Sequence, residues 1–236
     1  MQIKTNPFRQ IKGTCGFFAF TKAICELSEK EYTLEEQYDL VYYLLTRAYE
    51  DKITYLGELF HIDAFEHLMI YAKEYSNDFS NIELSICQWQ GDFPIDSDTY
   101  YLAPVKYYVT EKKRKKIVGQ IESSHYLMLT PDRYWESNRG WHDYHEPDDK
   151  YPNSKADVYK RHLDLAPSFD WERYLSVANR SWIDIWLDSF DYKENMRKRI
   201  FYLEMRHITD CHKHIADMDN SMLLRGQCIK LEKIQK

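Results

Sequence analysis

The sequence predicts an α+β protein: helices first, then a central antiparallel sheet, then a helical C-terminal extension. Three observations carry this. Apolar residues recur at helical spacing through the first 75 positions, short apolar runs bounded by Gly, Pro and Asp follow, and helical periodicity returns from about position 151. The chain has 236 residues, 44% of them hydrophobic, with 7 Gly and 7 Pro. That suffices for one large domain, or a domain with an extension, and leaves little material for long loops.

Residues 15–28 (CGFFAFTKAICELS) place Phe17, Phe20, Ile24 and Leu27 at helical spacing, with Thr14 as the expected N-cap. Thr33-Leu34-Glu35-Glu36 is a capping-box pattern that opens a helix ending near Glu50. A third helix is expected from about Asp63 to Tyr75. IELSICQ (82–88) and YYLAPVKYYV (100–109) read as strands, Pro104 marking the second as an edge or a bulge. Lys112–Lys116 reads as an exposed hairpin turn, and HYLMLT (125–130) as a short apolar strand. PDRYWESNRG reads as a turn region, with WHDYHE (141–146) returning as a strand. PDDKYPNSK (147–155) links this part to a helical remainder, which divides the chain at residues 1–150 and 151–236.

The net charge of −6 gives no global bias toward nucleic acid, although 193–236 holds ten Lys/Arg against six Asp/Glu. No apolar run is long enough to span a membrane, and the N-terminus lacks an apolar signal region. Five dispersed cysteines without a CxxC predict reduced thiols in a cytoplasmic protein, or in one delivered into a host cell by a specialised route. Signatures of nucleotide-binding loops, zinc peptidases and serine hydrolases are missing, and no cofactor is expected.

Cys15 sits at an expected helix start between Gly13 and Gly16. A helix N-terminus lowers a thiol's pKa, and glycines let a substrate backbone approach closely. Buried free cysteines are also common as small hydrophobes. A nucleophilic thiol needs a base held by a third group. His125 opens the apolar run HYLMLT, where it would project from a sheet end toward a helix N-terminus; a half-exposed strand-end histidine is the plainer account.

The segments QIKGTCGFFA and SSHYLMLT resemble the papain-like cysteine peptidase superfamily, nearest to its bacteriocin-leader-processing branch. The resemblance covers roughly residues 8–147. It implies a papain-like core, Cys15 as nucleophile, His125 as general base and Gln10 as oxyanion donor. Gln10 stands one residue closer to the cysteine than is usual there, so Lys12 or the Cys15 N–H remains an alternative donor. Three residues compete to orient the histidine: Asp143, expected opposite His125 on the returning strand, then Asn138, then Glu146.

Other clusters carry less. His207, Asp210, Cys211 and His214 share a helix face, but one straight helix rarely wraps four ligands around an ion. His142 and His145 alternate on a strand, and His61 and His67 are spaced poorly for metal. Trp171, Trp182 and Trp186 suit helix packing, against the core or a protein partner. The expected function is a thiol-dependent hydrolase of an amide bond in a protein or peptide, acting as protease or glutamine deamidase. The competing expectation is a non-catalytic interaction module whose working part is residues 151–236.

Overall fold

The computed structural model describes residues 8–10, 14–54, 59, 62–88, 96–113, 116–144 and 227–234, with the backbone alone for 106–113 and 116–124. Three helices come first: α1 (Cys15–Leu27), α2 (Leu34–Glu50) and α3 (Ala64–Tyr75). Lys22 and Glu26 pair on the outer side of α1. Its other residues are buried, because α1 lies between the sheet and α2. The capping box predicted for α2 is present in full. Thr33 Oγ1 accepts from the Glu36 N–H, and the Glu36 carboxylate accepts from the Thr33 N–H at 2.8 Å.

Among the described residues six strands form one antiparallel sheet: β1 (Ile82–Gln88), β2 (Thr99–Lys113), β3 (Lys116–Leu129), β4 (Arg133–Glu136), β5 (Gly140–Asp143) and β6 (Gln227–Lys233). Their spatial order is β1-β6-β2-β3-β4-β5. The sheet therefore runs sequentially from β2 to β5, and the last strand enters between the first two. This corrects the helical reading of 151–236: residues 227–233 are extended, and both neighbours hydrogen-bond to them. The expected helices between 151 and 226 lie outside the described residues.

Side-chain alternation gives the sheet two buried faces. Tyr126, Met128, Trp135, Ile229 and Leu231 pack with Phe17, Phe18, Phe20 and the rest of the helical core. Tyr101, Ala103, Val105, Leu127, Leu129, Tyr134, Tyr144 and Cys228 make a second cluster on the opposite face. Pro104 is explained by register. It faces Tyr126 on β3, whereas β6 follows β2 only as far as Leu102, so no ladder bond to β6 is lost at the proline.

One turn region was misjudged from sequence, and the hairpin expected at the basic run is present. The segment read as one long turn contains β4. Pro131 and Asp132 alone make the β3–β4 turn, closed by the Thr130 N–H donating to the Arg133 carbonyl at 3.0 Å. Residues 137–139 then connect β4 to β5, ending on Gly140 at φ 94°. A three-residue hairpin loop needs that left-handed position, which glycine adopts without a Cβ penalty. The basic run forms the distal end of the β2–β3 ribbon, with Lys112 and Lys113 on one strand and Lys116 on the other.

Candidate active site

Cys15 is the first residue of α1 and is buried. Thr14 occupies the N-cap position without a side-chain capping bond, and no acidic residue stands in the first helical turn. Backbone N–H dipoles at a helix N-terminus favour negative charge, and Cys15 stands at that end. Gly16 explains how the helix start fits the sheet. A Cβ there would lie 2.8 Å from Leu59 Cδ1 and 3.3 Å from Tyr126 Cδ2. The backbone one residue after Cys15 thus lies against the side chain one residue after His125.

His125 does not begin a strand; β3 starts nine residues earlier, at Lys116. It is buried, and its Nε2 lies 3.0 Å from Glu136 Oε2 on β4. The register explains the meeting. Glu136 stands opposite Leu127, so Glu136 and His125 are diagonal neighbours on one face. The Asn138 N–H also donates to Glu136 Oε2, at 3.1 Å. Burial pushes the Glu136 carboxyl up, but His125 and the Asn138 N–H outweigh it and hold the group below the ordinary carboxylate range. Among the described residues, none hydrogen-bonds the buried second oxygen, Oε1.

Gln10 reaches the same place. Its N–H donates to the Ser137 carbonyl at 3.0 Å, and the Ser137 hydroxyl donates to the Gln10 side-chain oxygen. The backbone at Gln10 is thereby tied to the residue after Glu136. Upstream, Phe8 lies over Trp135 and Phe18, with ring centroids 5.9 and 4.7 Å away, which fixes that segment against β4 and α1.

The residue beside His125 is therefore Glu136, where Asp143 was expected. Asp143 pairs with Arg133 at the far end of β5 and is exposed, one strand beyond β4. It was expected opposite His125 because the hairpin was centred too late; the tight turn at 131–132 brings a carboxylate back at Glu136 instead. Asn138 contributes its backbone N–H to Glu136, not an amide to the histidine. Glu146, Lys12, His145 and the cluster from His207 to His214 lie outside the described residues, as does His61. The described residues contain no group of three metal-ligating side chains.

Sequence reasoning missed Glu136 and Ser137, both buried. The available signal was Pro131-Asp132, a two-residue turn pair that sets Tyr134-Trp135-Glu136 against HYLML.

Neither the family models, nor the curated proteins, nor the solved structures contain a match to this chain. Among the described residues no helix is long and apolar enough to cross a membrane.

Proposed function

We propose that the chain is a thiol-dependent hydrolase of an amide bond in a protein or peptide, built on a papain-like core. The observation that carries this reading is a connected set. A buried His125–Glu136 pair stands beside Ser137, Ser137 is bonded to Gln10, and five residues after Gln10 in sequence a cysteine opens a helix. Cys15 Sγ attacks the carbonyl carbon, and its proton passes to the imidazole. With Nε2 turned to Glu136, Nδ1 is the nitrogen that takes it. The same proton then goes to the leaving amine, and water hydrolyses the acyl-enzyme through the reverse relay. Glu136 is the orienting group, and the Cys15 N–H with the Gln10 amide NH2 supplies oxyanion donors. Protease and glutamine deamidase share this acyl-enzyme, and the substrate is a protein or peptide in both. The setting is cytoplasmic, or a host cell after delivery.

A second reading has its own observation. Alternation along β3 sets His125 on the face of Leu127 and Leu129, opposite to Tyr126 and Met128, which face α1. On this reading His125–Glu136 is a buried structural pair, and the chain is a non-catalytic module that binds a protein partner through residues 151–226.

Iodoacetamide labelling at about pH 6.5, below the ordinary thiol pKa, separates the two. On the hydrolase reading Cys15 labels at least about tenfold faster than Cys25, and the preference disappears in both His125→Ala and Glu136→Gln. Cys25 is a suitable internal reference, because burial pushes its thiol pKa far up. Equal labelling of Cys15 and Cys25 in folded wild type overturns the hydrolase reading.

A further inference from the structure

Cys87 and Cys228 stand directly opposite each other where β1 meets β6. Their Sγ atoms are 3.3 Å apart, and both thiols are free. Opposed residues of antiparallel strands have Cα atoms about 4.5–5.5 Å apart, within the roughly 4.4–6.8 Å that a disulfide spans. Bond formation therefore needs side-chain rotation and little backbone movement.

The two thiols are unequal. Cys87 is partly exposed and Cys228 fully buried. The Cys228 thiol hydrogen-bonds to Cys87 and draws its pKa down against the effect of burial, with Lys230 adding to the lowering. The same hydrogen bond, with burial, pushes Cys228 up. Cys87 is thus the thiol that a solute can reach and that ionises first.

We propose that Cys87 and Cys228 are a redox modification site, forming a reversible disulfide that clasps the last strand of the sheet to the first. The oxidant is a small-molecule disulfide of the glutathione class. The Cys87 thiolate attacks one sulfur of that disulfide, forming a mixed disulfide and expelling one thiolate. Cys228 then loses its proton to the expelled thiolate and attacks the Cys87 sulfur, releasing the second thiolate, which takes up the proton that Cys87 lost on ionising. Two protein thiols are oxidised, and one small disulfide is reduced to two thiols. The clasp encloses residues 87–228, so β2 to β5 with His125 and Glu136 lie inside the covalent ring, while α1 with Cys15 lies outside it. The inference does not rest on the hydrolase reading.

The test equilibrates the full chain with mixtures of oxidised and reduced glutathione, quenches with acid, alkylates the remaining thiols and maps peptides by mass. The expected product is a linked Cys87–Cys228 peptide lighter by two hydrogens, with Cys25 still alkylated. Its formation raises the thermal midpoint by about 5–10 °C, dithiothreitol reverses the change, and Cys87→Ser abolishes it. Cys228→Ser is the companion variant, but Cys87 is the milder site because it is less buried. The proposal is overturned if oxidation stops at a glutathione adduct on Cys87, if both cysteines remain alkylated, or if the linked peptide forms without moving the midpoint.

Discussion

Glu136 is a carboxylate in a nearly dry setting, and its burial makes sense only with His125 beside it. A buried charge deprived of its partner is strongly penalised. Glu136→Gln keeps the shape and removes the charge, and should cost about 2–4 kcal/mol at neutral pH in urea unfolding. The pH dependence has a definite sign. Since the folded carboxyl sits below its unfolded value, its contribution is complete above the ordinary carboxylate range and is lost as pH falls through the folded pKa. Wild type should therefore lose stability from about pH 5 downward more steeply than Glu136→Gln, and parallel acid curves would sink the assignment. Gly16→Ala should cost about 1–3 kcal/mol, because the new methyl displaces the end of Leu59 and presses on Tyr126; equilibrium denaturation measures it. Cys15 at the start of α1 was legible because the Gly-Thr break and the apolar spacing after it form a short local pattern. Glu136 was not, because its place opposite Leu127 depends on reading Pro131-Asp132 as a two-residue turn rather than as part of a longer one.

The helices were legible almost to their ends, and the reason is local. Apolar spacing and the Thr33–Glu36 cap act over one turn, and α2 begins at Leu34 as they require. Thr33→Ala should remove about 1 kcal/mol from the denaturant midpoint free energy, read by circular dichroism. Lys30 Nζ holds Glu36 at 2.8 Å, and with the Thr33 bonds this draws the Glu36 carboxyl down to about 2. The β4 strand was illegible for the converse reason. Four residues between two turns carry too few alternations to outweigh Pro131, Asp132, Asn138 and Gly140. Trp141 shows what the resulting hairpin does: Arg133 Cζ lies 3.8 Å from its ring centroid, and Lys22 of α1 reaches it at 5.9 Å. The β4–β5 hairpin is thereby fastened to the helix that carries Cys15.

At the scale of the molecule, order in space departs from order in sequence among the described strands at β6. Its pairing with strands more than a hundred residues earlier leaves no periodic trace, so a seven-residue segment at the end of an apparently helical region could not be recognised as the sheet's second strand. Its burial records its importance: Cys228, Ile229 and Leu231 are fully enclosed. A chain ending at residue 226 should fail to give a cooperative thermal transition, and should partition to the insoluble fraction on expression.

The position of β6 also sets a timetable for synthesis. β1 joins the sheet only through β6, so when residue 144 has left the ribosome β1 has no partner and β2 presents an open edge. At roughly 5–20 residues per second, translation of the segment from there to β6 lasts on the order of ten seconds. Through that interval the nascent polypeptide exposes the pairing edges of β1 and β2 that β6 will fill, which makes it a client for chaperones that shield strand edges until β6 arrives.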